Sequence, residues 1–137
     1  MQVHPLADKS SLSGIRKLIR AELRDVEAPA SESFDCLVAV TEACTNALVH
    51  GRGDGGPDPE ISWEIDRGEA RFTIRDFAAH GPSKPPDGPP DKEERDGGYG
   101  LKMMRQLMDN VDIRFSPQGT TVLLVKLLQP QAARNST

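Results

Sequence analysis

Hydrophobic residues recur along this chain with two periods. From 11 to 27, Leu12, Ile15, Leu18, Ile19, Leu23 and Val26 follow the i, i+3, i+4, i+7 spacing of a helix with one apolar face, which Ser10 or Ser11 is expected to cap and Pro29 to end. Residues 31–50 predict a second helix, apolar almost all the way round. After Pro59 the period drops to two: Ile61, Trp63 and Ile65 alternate with Ser62, Glu64 and Asp66, and beyond a turn at Arg67-Gly68, Ala70, Phe72 and Ile74 alternate with Arg71, Thr73 and Arg75. Leu101, Met104, Leu107 and Met108 stripe a third helix, and Val111, Ile113 and Phe115 mark a third strand. Residues 120–128 are too apolar for an edge strand with water on both sides. A short N-terminal strand over 2–6 is the weakest of these signals.

Two stretches break both periods. "GRGDGGPDP" (51–59) holds four glycines and two prolines, and 78–97 holds five prolines and three glycines, so both are expected to be irregular. A loop of about twenty residues inside a compact domain is usually functional or disordered. The order is helix, helix, strand, strand, long loop, helix, strand, strand. Strands with one apolar face need helices on that face. The expected fold is therefore α+β, a two-layer α/β sandwich with a mixed, mainly antiparallel sheet and helices on one face. A single domain covers 1–128, with a lid over 77–97 and a flexible tail over 129–137.

Length and charge narrow the function classes. At 137 residues there is room for one core. Net charge is −4 and mean hydropathy −0.50, which argues against a nucleic-acid or anionic-membrane surface while leaving room for local basic patches. No run approaches a membrane span, and "MQVHPLADKS" lacks the pattern of a signal peptide, so a cytoplasmic location is expected. Cys36 and Cys44, eight residues apart on one helix, are separated by about 12 Å along its axis, beyond disulfide reach.

Against that background "VTEACTNALVHG" (40–51) stands out. At about 100° per residue, Glu42, Asp35, Asn46 and His50 fall within an arc of about 80°, with only Ala39 among them. The plain alternative is a solvated face. Such faces normally mix Lys, Arg and Glu, yet 30–51 contains neither lysine nor arginine. An acid and an amide one turn apart, framed by apolar surface, suit a pocket floor, where Asn46 offers a neutral oxygen to a hard cation such as Mg²⁺ and Glu42 a base. Further on, "DGGYGLKMM" puts Gly97, Gly98 and Gly100 at the expected start of the third helix, whose unpaired amides suit phosphate oxygens. That pattern is more often a simple loop-to-helix joint. Asp76 ends the second strand, where it is either a turn former or an acceptor for an exocyclic amine. "QGTTV" is either a hairpin turn or a source of a threonine hydroxyl beside a base.

In this order, "EACTNALVH" (matching E-x-x-x-N-A-x-x-H), Asp76, "GGYGLKMMRQLMD" and "GTTV" resemble the Bergerat-type ATP-binding domain of gyrase-type, Hsp90-type, sensor histidine-kinase and mismatch-repair ATPases. The resemblance runs from about 35 to 126 and is closest to the bacterial anti-sigma-factor serine/threonine kinases of partner-switching systems. A sensor kinase needs a phosphoacceptor helix and the gyrase and Hsp90 types a transducer domain, for which this length leaves no room. The resemblance implies Glu42 as base for the incoming hydroxyl and Asn46 as holder of Mg²⁺ against the phosphates. It implies Asp76 on the adenine amine, Gly98, Tyr99, Gly100 and Leu101 around the phosphates, and Thr120 or Thr121 supporting the base. The cofactors would be ATP and Mg²⁺. The partners would be a sigma factor or a small antagonist protein, with no direct nucleic acid or membrane contact. The same branch implies a tendency to form a homodimer, and docking of an acidic partner on the basic side of the first helix, at Arg16 and Arg20.

One box departs from the family's D-x-G-x-G. Here it reads Asp76-Phe77-Ala78-Ala79-His80-Gly81. A side chain at a position needing positive φ costs about 1–2 kcal/mol, so nucleotide binding is expected to weaken if Ala78 or His80 must adopt one. Three functions compete: a Mg-ATP-dependent kinase, a non-catalytic protein-binding module with a degraded pocket, and an unrelated α/β domain with chance matches. Only the first needs Glu42 as a base.

Overall fold

A computed structural model describes residues 2–51, 56–78 and 92–129, with the backbone alone over 92–99. It contains β1 (Val3–Pro5), α1 (Ser10–Asp25), α2 (Ala30–His50), β2 (Glu60–Ile65), β3 (Glu69–Asp76), α3 (Lys92–Leu107), β4 (Asn110–Ser116) and β5 (Gly119–Leu127). The five strands form one sheet in the order β1-β2-β3-β5-β4, and all four pairings are antiparallel. The expected two-layer α+β architecture is therefore present, with no parallel pair among the described strands. β5 lies inside the sheet, as its apolar character required. The weakly signalled N-terminal strand is real but only three residues long, paired to β2 as an edge.

Opposed residues in a ladder share a face. The face carrying Ile61, Trp63, Ala70, Phe72, Ile74 and Leu124 packs with Leu12, Ile15, Ile19 and Leu23 of α1, Cys36, Val40 and Ala43 of α2, and Met104 of α3 in one buried cluster. Phe72, Ile61 and Leu124 are fully buried. Helices thus cover the apolar side only, while Arg71, Thr73 and Arg75 point the other way. Burial pushes the thiols of Cys36 and Cys44 up to about 12, so both stay protonated at neutral pH and serve as small core residues.

Local details differ from expectation in three places. The amide of Ser10 donates to the Asp8 carboxylate at 2.9 Å, so the aspartate does the capping expected of serine. α1 is closed off two residues past its end by Glu27, the one described non-glycine residue with positive φ, at 60°. The Glu27 amide donates to the Arg24 carbonyl and the Ala28 amide to the Leu23 carbonyl, a Schellman pairing that normally selects glycine at this position. The largest difference concerns α3. It begins at Lys92, so 92–97, assigned by sequence to the irregular lid, is helical, and Gly97, Gly98 and Gly100 lie inside the helix rather than before it. Residues 79–91 of that lid and 130–137 of the tail lie outside the described residues.

A partly buried lysine ties the layers together. Lys126 of β5 donates to the Asp35 carboxylate of α2 at 3.1 Å and to the carbonyl of Leu107, the last residue of α3, at 2.6 Å. The cation sits at a helix C-terminus, where the macrodipole favours positive charge.

Candidate functional site

The α2 stripe divides by neighbourhood. Asp35, grouped by angle with Glu42 and Asn46, is committed to Lys126 and stands outside the site. Glu42 and Asn46 are half-buried and His50 is exposed. Around them Ala39, Ala43 and Ala47 are buried, so the two polar groups rise from a small-residue surface rather than from a solvated flank.

The far end of α2 meets the sheet at Asp76. The helix finishes at Gly51, whose amide bonds back to the Ala47 carbonyl at 2.9 Å. A Cβ on Gly51 would lie 2.5 Å from Asp76 Cβ and 2.6 Å from Asp76 Oδ2. Those distances are far inside van der Waals contact, so only glycine lets α2 close onto this carboxylate. The other oxygen, Oδ1, accepts from the amides of Ala78 and Thr120, each at 3.2 Å. Asp76 is only 9% exposed, and a buried carboxylate persists when it is hydrogen-bonded. It is therefore a held group that both forms a local turn with Ala78 and accepts from the neighbouring strand at Thr120.

β5 passes beside this carboxylate under a similar constraint. Gly119 has φ +141°, and a Cβ there would overlap the Asp76 carbonyl oxygen and reach within 2.8 Å of its carbon. The register then separates the two threonines: Thr120 pairs with Asp76 on the helix-covered face, whereas Thr121 pairs with Arg75 on the opposite face. Of the two, Thr120 is the one beside the carboxylate. Ala78 is buried and has no positive φ, so its side chain imposes no left-handed strain on the altered box. His80 lies outside the described residues.

At the other end of the stripe, α3 closes on Glu42. A Cβ on Gly100 would overlap Glu42 Oε1 and fall 2.9 Å from Glu42 Cδ and Cγ. The glycine thus permits contact between the α3 backbone and the carboxylate. Leu101 is half-buried in the next position of the helix; Gly98 and Tyr99 are helical in backbone. From Glu42 to Gly51 is nine residues, about 13.5 Å along the axis at 1.5 Å each. One end of the site is an oriented carboxylate that can read an amine, and the other a carboxylate and amide suited to phosphate and metal chemistry. Among the described residues no three His, Cys, Asp or Glu side chains cluster as a metal cage; a Mg²⁺ shared between one side chain and substrate phosphates does not require one. The donor set, the Asp76 carboxylate at one end and the Glu42 carboxylate with the Asn46 amide at the other, has the chemistry to hold Mg-ATP.

The roles of Gly51 and Gly119 were not apparent in the sequence. Gly51 directly follows the E-x-x-x-N-A-x-x-H stretch, a signal that could have flagged it. Arg16 and Arg20 are both exposed on α1, away from these contacts.

Comparison with known proteins identifies the family. Residues 6–126 match the histidine kinase-like ATPase domain family. The chain is 30% identical over 133 residues to the serine-protein kinase RsbW of Staphylococcus aureus strain Newman, covering 87% of this chain and 83% of that kinase. Among solved structures, the RsbU and RsbW domains of a Mycobacterium tuberculosis protein superpose with TM-score 0.69 at 21% identity, over 94% of this chain and 32% of that one. SiaB, from the SiaB–SiaC complex of Pseudomonas aeruginosa, gives TM-score 0.61 at 15% identity, over 93% and 89%. At these identities the structural likenesses establish the fold. The chain belongs to the histidine kinase-like ATPase domain family and is a relative of the RsbW serine-protein kinases. Among the described residues, no helix is long and apolar enough to cross a membrane.

Proposed function

We propose that this member of the histidine kinase-like ATPase family is a Mg-ATP-dependent serine/threonine protein kinase that acts as an anti-sigma factor and phosphorylates a small antagonist protein. The observation that carries the reading is the pair of anchored ends on one helix: Asp76 held beneath Gly51, with Asn46 about one and a half turns and Glu42 about two and a half turns back. Kinship to RsbW supports serine as the acceptor, and SiaB's presence in a complex with SiaC supports a small protein partner. A cytoplasmic location, a homodimer and docking through Arg16 and Arg20 belong to the same proposal.

In this reading Asp76 accepts a hydrogen bond from the adenine amine and Thr120 supports the base, with Thr121 on the far face. Asn46 offers its amide oxygen to Mg²⁺, which neutralises phosphate charge when bound. Glu42 accepts the proton from the incoming hydroxyl as the new oxygen–phosphorus bond forms and the bond to the β-phosphate breaks, leaving ADP. Phosphoryl transfer asks little more of a protein than such positioning and charge neutralisation. Gly98, Tyr99, Gly100 and Leu101 supply backbone near the phosphates. Three glycines within four helical positions cost about 1 kcal/mol each relative to alanine, so this is the part of α3 most easily opened to admit them.

The alternative is a protein-binding module whose pocket has lost catalysis. It is favoured by one observation, the close approach of the α3 backbone to Glu42 at Gly100, which leaves little room beside the base. Calorimetric titration of Mg-ATP into wild type, Asn46→Ala and Glu42→Ala, followed by phosphotransfer to the antagonist protein, separates the two. The kinase reading expects Asn46→Ala to weaken Mg-dependent binding, and Glu42→Ala to keep binding while losing transfer. A wild type that binds its partner tightly and is indifferent to ATP would replace the kinase with the module.

A further inference from the structure

The row of residues that contains Asp76 and Thr120 continues one strand further. Thr120 pairs on its other side with Phe115 of β4, so Asp76, Thr120 and Phe115 lie side by side on the helix-covered face. Strands are spaced about 4.8 Å apart, which sets Phe115 about 10 Å from Asp76 with only a threonine between. The two earlier β4 residues of this face, Val111 and Ile113, are half-buried, but Phe115 is 71% exposed, the most open of the large hydrophobic side chains described. A single exposed aromatic is unremarkable by itself; its position at the Asp76 end of the site is what matters. The row forms a shelf with a carboxylate at one side, a small hydroxyl residue at its centre and an aromatic ring at the other side.

We infer that Phe115 is the outer wall of the base end of the site, making an apolar and stacking contact with the adenine ring that Asp76 anchors. This rests on the ATP reading above and adds a specificity-determining residue to it. Such a contact distinguishes a nucleoside from a bare phosphate chain, because an aromatic face gains from stacking on a base and nothing from a polyphosphate. It does not choose between adenine and guanine, since both have a π-face; that choice falls to Asp76. Thr120 suits the centre of the shelf because a larger side chain would fill the space between carboxylate and ring.

The test is titration of Mg-ATP, adenosine and Mg-tripolyphosphate into wild type, Phe115→Ala and Phe115→Tyr, with thermal melts of all three proteins. Phe115→Ala is expected to weaken ATP and adenosine binding about five- to tenfold, to leave tripolyphosphate binding unchanged, and to melt with wild type because the side chain is exposed. Phe115→Tyr, which keeps the ring, is expected to restore nucleotide binding. Wild-type ATP affinity in Phe115→Ala overturns the inference, and so does equal weakening for ATP and tripolyphosphate. A wild type that binds no ATP at all overturns the nucleotide reading itself, and the wall falls with it.

Discussion

Replacing Gly51 by alanine puts one methyl group into the closest approach between α2 and β3. The backbone there has φ −97°, a region open to any residue, so the cost is purely steric. The new Cβ would sit 2.5–2.6 Å from three atoms of the Asp76 side chain. That side chain is held by two amides of its own, so either α2 lifts or Asp76 leaves Ala78 and Thr120. Inserting a methylene into a packed site costs about 1–3 kcal/mol. Surrendering a hydrogen bond to a charged group costs about 1.5–3 kcal/mol. A loss of about 2 kcal/mol is expected, or roughly 6–10 °C in Tm for a domain of this size. The internal control is Gly14→Ala in α1, where no atom lies within 4 Å of the added Cβ; the same substitution there should stabilise by about 0.8–1 kcal/mol through helix propensity alone. Urea denaturation followed by circular dichroism reads both variants. If Gly51→Ala stays within about 0.5 kcal/mol of wild type, the ordinary range for a surface change, the close packing of α2 on Asp76 is refuted.

Three further outcomes follow from contacts described above. Gly100→Ala should destabilise in the wild-type background but much less in Glu42→Ala, which removes the side chain it would strike; a double-mutant cycle by urea melts should give a coupling of about 1–3 kcal/mol. Glu27→Gly should stabilise by up to about 1 kcal/mol: relief of the left-handed conformation is worth about 1–2 kcal/mol, offset by a more flexible unfolded chain and by loss of the exposed ion pair to Arg67, worth under about 1 kcal/mol. Arg67→Ala measures that last share separately. Finally, both thiols bind their protons more tightly folded than unfolded, from an ordinary value of 9.0 to about 12. Their contribution to stability is full below pH 9 and declines as the pH climbs toward 12; Ellman's reagent at pH 8 should label the protein at its unfolding rate, and fast labelling would contradict their burial.

What the sequence conveyed depended on the range of the interaction. Strand alternation is local, so β2 and β3 were legible, and the apolar run of β5 correctly placed it inside the sheet. Angles around α2 are local too, which is why Glu42, Asn46 and Asp35 were grouped; but the partner of Asp35 is Lys126, 91 residues away, and no pattern on the helix announces it. The start of α3 was misplaced because glycines at 97 and 98 read as a break. Packing of α3 against α2, where Gly100 meets Glu42, outweighs their propensity. A threonine pair looks symmetric until the register assigns one to each face. Gly51 read only as the first residue of a loop, since what a missing side chain leaves room for is a property of the neighbour and not of the glycine.

Lys126 fixes where α3 can move. By gripping the carbonyl of Leu107 and the carboxylate of Asp35 together, it fastens the last turn of α3 to α2 and to β5. Displacement of the rest of that helix must therefore swing about this fastened end, and a lever travels furthest at its free tip. The glycine-rich segment above Glu42 lies seven to ten residues along that lever, so a small tilt at the lysine becomes a larger displacement over the carboxylate.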